Sequence, residues 1–155
     1  MPKTATADRV DLEGLVAFLR PRHKALLMTR RGDGEPQISP VSCGVDAAGR
    51  IVVSTYPQRA KTRNARRDER VTVVVLSDDF DGPWVQVDGT AEVLDLPESV
   101  EPLVEYFRSI SGEHPDWDEY RAAMHRQGKS LIRVTPVRWG PVATGGFPPE
   151  LADKD

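Results

Sequence analysis

The sequence predicts a mainly β domain with flanking helices, in which an antiparallel sheet is closed or half closed into a barrel. Six short segments have the alternation or the apolar run of a strand, whereas helical periodicity is confined to four segments. Short turns rich in Gly and Asp separate the early strands, which is typical of hairpins between antiparallel neighbours. The length of 155 residues fits one such domain.

The first predicted element is a helix over residues 11–20. Its apolar side chains share one helical face: Leu12, Leu15, Val16 and Leu19. Asp11 can cap its N-terminus and Pro21 ends it.

Three strands are predicted next, over 24–30, 37–45 and 50–55. The connecting turns are Arg31-Gly32-Asp33-Gly34 and Asp46-Ala47-Ala48-Gly49. Pro40 has no N–H to donate, so we expect the second strand at a sheet edge or at a bulge.

The middle of the chain predicts a helix and two strands. Residues 58–68 are polar and basic without alternation, which indicates a short helix. The run over 71–76 is almost wholly apolar, so we expect a strand covered on both faces. Residues 84–94 alternate clearly, and one set suits a core: Val85, Val87, Gly89, Ala91 and Val93. The other set suits solvent, a partner or a ligand: Trp84, Gln86, Asp88, Thr90 and Glu92.

The last third predicts two helices and a strand. The first helix has an apolar stripe from Val100 to Ile110, a possible cap at Ser99 and a stop at Gly112. The second helix begins near Pro115, ends at Gly128 and has three large apolar side chains on one side: Trp117, Tyr120 and Met124. The final strand covers 130–137. We expect a flexible N-terminal arm over 1–10, one folded domain over 11–144 and a flexible C-terminal tail over 145–155.

Composition excludes several classes of protein. The net charge of −3 argues against a nucleic-acid-binding module, which is usually strongly basic. A single cysteine, Cys43, rules out an intramolecular disulfide and favours a reducing cytoplasm. We expect no secretory signal and no membrane span, because neither the charged N-terminal segment nor any other stretch has the necessary apolar run.

No catalytic side chain and no metal site is predicted. The three histidines have no metal-ligand spacing, either among themselves or with Cys43: His23, His114 and His125. Motifs of serine nucleophiles, P-loops and dinucleotide-binding glycines are missing, and the loop over 78–82 lacks the spacing of a calcium loop. We interpret Cys43 as a small buried apolar residue.

The concentrated charge of the chain lies just after the third strand. Six basic residues stand there against Asp68 and Glu69: Arg59, Lys61, Arg63, Arg66, Arg67 and Arg70. Three interpretations remain open: a solvated helix face, a nucleic-acid contact and an anion site. A solvated face is the default for a run of charges. The nucleic-acid contact is less favoured, because no aromatic residue is interleaved for base stacking. The anion site is favoured by a strand that ends at Ser54-Thr55 and leads into a helix N-terminus. Arg59, Lys61 and Thr62 add charge and hydroxyl donors there, as a phosphate requires.

Three stretches resemble a known family: Arg59–Asp68, Trp84–Glu92 and Gly112–Tyr120. Over residues 11–140 the chain is similar to the flavin-binding split β-barrel proteins, the pyridoxamine-5′-phosphate-oxidase-like superfamily. It looks closest to the actinobacterial F420-dependent oxidoreductases of the B group. The resemblance implies a split barrel that forms a homodimer with two cofactor sites at the subunit interface.

The same resemblance implies the site residues. Four residues would hold the cofactor phosphate: Arg59, Lys61, Thr62 and Asn64. The ring system would be lined by Ser39, Pro40 and Val41, with Ser54 and Thr55 nearby. Trp84 would reach the ring from the other subunit, and we transfer no role to residues 139–147.

The implied activity is hydride transfer from the deazaflavin coenzyme F420 to an electron-poor organic acceptor, such as an enone or a quinone. The protein then needs no nucleophile, which agrees with the motifs it lacks. Arg63, Arg66 and Arg67 could steer the anionic tail of the cofactor. The alternatives are an FMN-binding oxidase or reductase of the same fold, and a deazaflavin-binding carrier without turnover. The predicted partners are a second copy of the chain and a small-molecule substrate.

Overall fold

The computed structural model describes residues 3–152, which form nine strands and five short helices. The helices are α1 (Leu12–Leu19), α2 (Ala60–Arg67), α3 (Val100–Ser111), α4 (Trp117–Gln127) and α5 (Pro149–Ala152). The strands are β1 (Thr6–Asp8), β2 (Lys24–Arg30), β3 (Pro36–Ser42), β4 (Gly44–Val45), β5 (Ile51–Thr55), β6 (Arg70–Leu76), β7 (Val85–Leu94), β8 (Ser130–Trp139) and β9 (Val142–Thr144).

Seven strands form one antiparallel sheet in the order β3-β2-β6-β7-β8-β5-β4. The sheet curls into a half-barrel, so that the edge strand β3 also contacts β5. The predicted fold class is therefore confirmed, and β3, which contains Pro40, lies at the edge as expected. β1 and β9 form a separate two-stranded sheet.

The interior of the half-barrel is filled by the apolar face of each strand. The most buried side chains of this core are Leu27, Val73, Val75, Val85, Val87, Ile132 and Val134. α1 adds Leu15 and Leu19, and the Asp11 carboxylate accepts a hydrogen bond from the N–H of Gly14 at 2.8 Å, as the predicted cap requires. A second core, built around Leu103, Tyr120 and Leu131, joins α3 and α4 to the outside of β5 and β8.

The structure differs from the predicted elements at several points. The strand predicted over 37–45 breaks at Cys43, whose N–H donates to the carbonyl of His23, just before the start of β2, at 2.9 Å. The Ser99 hydroxyl caps no helix, because it donates to the Lys129 carbonyl at 2.9 Å. The structure places β1 in the predicted arm, α5 in the predicted tail and β9 at the end of the predicted domain, and the sequence analysis predicted none of these three elements. The division into arm, domain and tail stays a prediction.

The strand β6 alternates between buried and half-exposed residues, so the expectation that both of its faces are covered is wrong for one copy of the chain. Val71, Val73 and Val75 face the core, whereas Val74 and Leu76 lie half exposed on the outer face. The predicted core set on β7 is confirmed, since Val85 and Val87 are fully buried. Within residues 3–152, no helix is long and apolar enough to cross a membrane.

Candidate cofactor-binding site

The N-terminus of α2 lies directly after the end of β5. The strand ends at Thr55, and residues 56–59 form the short loop before the helix. Arg59 occupies the cap position in an extended conformation, and its side chain makes no capping hydrogen bond. The N–H groups of Ala60 and Lys61 make no hydrogen bond within residues 3–152, as is usual for a first helical turn. Two free donors and the positive end of the helix dipole therefore face the loop.

Two cations of the predicted phosphate site stand at this helix end. Arg59 and Lys61 take part in none of the ion pairs formed by the described part of the chain. Burial lowers the pKa of Lys61, and the positive charges of Arg59 and Lys129 lower it further. The ammonium of Lys61 thus lies in a positive field with no neighbouring carboxylate, as expected of a site that binds an anion.

Three other residues of the basic segment are already partnered. Arg66 donates to the Asp95 carboxylate at 2.6 Å, and Arg70 donates to the Asp68 carboxylate at 2.9 Å. Arg67 donates to the Asn64 side-chain oxygen at 2.8 Å. Arg66, Arg67 and Arg70 thus make structural contacts at the C-terminal end of α2 and the start of β6, whereas Arg59 and Lys61 leave unpaired charge at the N-terminal end of the helix. Arg63 is exposed and takes part in none of the ion pairs within residues 3–152.

Thr55 and Thr62 form a buried hydroxyl pair beneath the site. Their Oγ1 atoms lie 2.9 Å apart, and Thr62 Oγ1 also donates to the Tyr56 carbonyl at 2.8 Å. Because that bond uses the single hydroxyl proton of Thr62, Thr55 must be the donor within the pair. Thr62 is fully buried, so its hydroxyl fixes α2 to the end of β5 in this structure. Its predicted role as a phosphate ligand stays a prediction.

Asn64 is likewise buried and joins α2 to the sheet. Its Nδ2 donates to Thr29 Oγ1 at 3.1 Å, and Thr29 in turn donates to the Gln37 side-chain oxygen at 3.1 Å. The Asn64 side-chain oxygen accepts from Arg67. Both ends of the amide are thus occupied, and the chain of hydrogen bonds links α2 to β2 and the edge strand β3.

The three predicted ring-lining residues lie on β3, but not on one face of it. Ser39 and Val41 are opposite Leu27 and Ala25, so they share the inner face of the sheet. Pro40 is opposite Leu26 and points to the outer face. The Ser39 hydroxyl oxygen is buried and has no hydrogen-bond partner within residues 3–152, which is unusual for a buried polar atom.

The other two predicted site residues of β5 also lie on opposite faces. Thr55 is buried and bonded to Thr62, as described above. Ser54 is half buried and pairs with Leu131 of β8, on the face that α3 and α4 cover.

Trp84 lies away from α2 within one copy of the chain. It precedes β7 and exchanges two backbone hydrogen bonds with Ala143, at 2.9 and 3.0 Å. Its side chain is 38% exposed. It lines two open cavities, of about 660 and about 410 Å³, and no residue of α2 lines either one. The idea that Trp84 completes the site of a partner subunit stays a prediction.

Two residues of the site were missed by the sequence analysis, Tyr56 and Lys129. The Tyr56 ring lies 4.3 Å from Lys129 Nζ and 5.7 Å from the Arg59 guanidinium carbon. No motif marks Lys129, because it comes to Tyr56 only through the register of β5 and β8. The pairing of Thr55 with Ser130 places the preceding Lys129 across from Tyr56.

Within residues 3–152, the other reactive group that the sequence singled out is the thiol of Cys43. Burial raises the pKa of the Cys43 thiol to about 12, so the thiolate that a nucleophile needs is strongly disfavoured. Cys43 is 2% exposed, and its interpretation as a buried apolar residue is confirmed. Across residues 3–152, no group of three His, Cys, Asp or Glu side chains is arranged to hold a metal ion.

Comparison with known proteins identifies the family. The model of the pyridoxamine 5′-phosphate oxidase family matches residues 12–143. The chain belongs to this family. The split-barrel relationship inferred from the sequence is thereby confirmed.

Solved structures agree with this fold. The conserved hypothetical protein Rv2991 from Mycobacterium tuberculosis superposes with a TM-score of 0.71 at 22% identity, covering 88% of this chain and 87% of its own. An F420 reductase superposes with a TM-score of 0.59 at 21% identity, covering 79% and 93%. The General Stress Protein 26 from Bacillus anthracis str. Sterne gives a TM-score of 0.60 at 14% identity, covering 84% and 92%. At these identities the likeness establishes the fold alone.

Proposed function

We propose that this chain is an oxidoreductase that uses coenzyme F420 to transfer a hydride to an electron-poor organic acceptor, such as an enone or a quinone. The observation that supports a phosphate-bearing cofactor is the pair of cations at the start of α2, Arg59 and Lys61, which have no carboxylate partner within residues 3–152. The two free N–H groups beside them complete a site suited to a phosphate.

The cofactor would be held by groups with distinct tasks. Arg59 and Lys61 neutralise the phosphate, while Thr62 and Asn64 keep α2 in position through their internal hydrogen bonds. The ring system of the cofactor would contact β3 at Ser39. The buried Ser39 hydroxyl oxygen supports this contact, because it has no hydrogen-bond partner in the described chain. When bound, F420 supplies the hydride chemistry, and the residues of the chain supply binding and orientation.

The proposal includes a homodimer. The outer face of the sheet is unusually apolar: Leu26, Met28, Ile38, Val74, Leu76 and Val137 all lie at least partly exposed on it. Ile38 is 58% exposed and Val137 is 67% exposed, so this face has the composition of a surface that another protein covers. A second copy placed there would also cover Trp84 and could bring it to the partner's cofactor.

The cytoplasmic location proposed from Cys43 rests on sequence alone.

Binding of each cofactor to the purified chain tests the proposal. We expect F420 to bind, and we expect the double variant Arg59→Ala/Lys61→Ala to bind it at least tenfold more weakly, which is about 1.4 kcal/mol. The matched control is Arg121→Ala/Arg126→Ala, which removes two cations of α4 that already pair with Glu101 and Glu119. Fluorescence titration gives both affinities.

The outcomes separate the competing functions. Unchanged affinity in the Arg59/Lys61 double variant would refute the phosphate assignment. If the chain binds FMN and not F420, it is the FMN-binding oxidase or reductase of the alternative function. The same site would then bind the phosphate of FMN. Binding of F420 without oxidation of its reduced form by any enone or quinone would favour a carrier.

A further inference from the structure

Lys129 is held in a fixed place at the end of α4. Gly128 ends the helix in the left-handed conformation, with φ of 65°, and the Lys129 N–H then bonds back to the Met124 carbonyl at 3.2 Å. The Lys129 carbonyl accepts a hydrogen bond from the Ser99 hydroxyl at 2.9 Å. Ser99 is fully buried, so the backbone of Lys129 is fixed on both sides.

The side chain of Lys129 turns toward the start of α2. Its ammonium nitrogen lies 4.3 Å from the centre of the Tyr56 ring, at a distance typical of a cation–π contact. The Arg59 guanidinium lies near the same ring, and the charges of both residues lower the pKa of Lys61. Two cations from distant parts of the chain thus lie at one aromatic ring, and a third, Lys61, is close enough to feel the charge of both.

This cluster has no internal compensation among the described residues. None of the ion pairs within residues 3–152 involves Lys129, and the nearby Asp95 is already bonded to Ser130 and Arg66, each at 2.6 Å. Three like charges held together repel one another, and an anion between them removes that repulsion. The fixed backbone of Lys129 means that this anion would meet a preformed site.

We propose that Lys129 is the third cation of the phosphate site, that its ammonium contacts the cofactor phosphate, and that Tyr56 is the platform on which it rests. This inference deepens the proposed function and rests on it. It adds a ligand-contacting residue from the turn between α4 and β8 to a site otherwise built from the end of β5 and the start of α2.

The test compares each cofactor with its counterpart that lacks the phosphate. FMN is paired with riboflavin, and F420 with the deazaflavin that lacks both phosphate and tail. We expect Lys129→Met to weaken binding of the phosphate-bearing member at least tenfold, about 1.4 kcal/mol, and to change binding of the other member less than twofold. Methionine keeps an apolar side chain on Tyr56, and Lys129→Arg keeps the charge and should keep most of the affinity.

The matched control is Arg126→Met, which removes a cation from the same end of α4 that pairs with Glu119 instead. It should change neither affinity. Equal weakening of both members of a cofactor pair, or equal loss in Lys129→Arg and Lys129→Met, would assign the effect to packing on Tyr56 and overturn the proposal. Full affinity in Lys129→Met would overturn it as well.

If the proposed function fails, the wild-type chain will bind neither FMN nor F420, and this result is distinct from a failure of the Lys129 proposal. The same variants are then compared by thermal shift with inorganic pyrophosphate. Stabilisation of the wild type and of Arg126→Met but not of Lys129→Met would support an anion site that includes Lys129. Equal stabilisation of all three proteins, or of none, would overturn it.

Discussion

Replacing Thr62 with Val tests whether this hydroxyl builds the site or binds the ligand. The structure gives Thr62 Oγ1 two partners, the Tyr56 carbonyl at 2.8 Å and the Thr55 hydroxyl at 2.9 Å, at a fully buried position. Valine has nearly the same shape and a similar helix propensity, so the change removes little besides the hydroxyl. The buried Thr55 hydroxyl is then left without its partner, while the Tyr56 carbonyl loses one bond and keeps the one from the Arg59 N–H at 3.2 Å.

The expected loss follows from these two bonds. Each hydrogen bond contributes about 1 kcal/mol net, and leaving a buried partner unsatisfied raises the cost toward about 1–3 kcal/mol per group. We therefore expect Thr62→Val to lower the free energy of unfolding by about 2–4 kcal/mol, whether or not cofactor is present. Thr62→Ser, which keeps the hydroxyl and loses one methyl group, should cost only about 1 kcal/mol.

Urea denaturation at 25 °C, followed by tryptophan fluorescence, measures these values. The double variant Thr55→Val/Thr62→Val should be less destabilised than the sum of the single variants, because it leaves no orphaned Thr55 hydroxyl. A loss below about 0.5 kcal/mol in Thr62→Val would contradict the structural role. If stability stayed intact while F420 affinity fell tenfold, Thr62 would be a phosphate ligand, as the family resemblance implies.

Two further predictions concern the outer face of the sheet and the buried thiol. Ile38→Lys should weaken the proposed dimer at least a hundredfold, about 3 kcal/mol, by placing a charge in an apolar interface, whereas Leu12→Lys on α1 should not. Light scattering with size-exclusion chromatography measures this, and an unchanged dimer or a monomeric wild type would contradict it. For Cys43, burial raises the thiol pKa from 9.0 to about 12, so the unfolded chain loses this proton first and stability falls between pH 9 and about pH 12. Urea unfolding at a series of pH values measures how steeply the free energy of unfolding falls with pH, and Cys43→Ala should reduce this slope by up to about 1.4 kcal/mol per pH unit. An equal slope in both proteins would refute the raised pKa of the Cys43 thiol.

Local patterns predicted most of the sheet. The alternation over 84–94 identified the core face of β7, because side-chain direction in a strand depends only on position. The charge after β5 likewise indicated the candidate anion site, since Arg59 and Lys61 are adjacent in sequence to the helix start, and the role of that site stays a prediction. Both features are set by residues within a few positions of each other.

Features that depend on distant residues could not be predicted in this way. Ser99 precedes α3 and has the side chain of a cap, yet its hydroxyl bonds to the Lys129 carbonyl 30 positions away. Lys129 itself joins the site through strand register, which sequence periodicity does not specify. The outer face of β6 is also apolar. A sequence has the same apolar run over 71–76 whether that face is covered by another part of the chain or by a partner protein, so the run could not show which of them covers it.

The pairing of β5 with β8 also bears on the order in which the molecule folds. Thr55 and Ser130 are neighbours in the sheet but far apart along the chain, so joining them closes a long loop at a high entropic cost. The cations gathered around Tyr56 meet only after that loop has closed. An anion bound between Arg59 and Lys129 therefore recognises the completed sheet and not its parts. Such a ligand should act mainly by slowing unfolding, leaving the rate of folding almost unchanged.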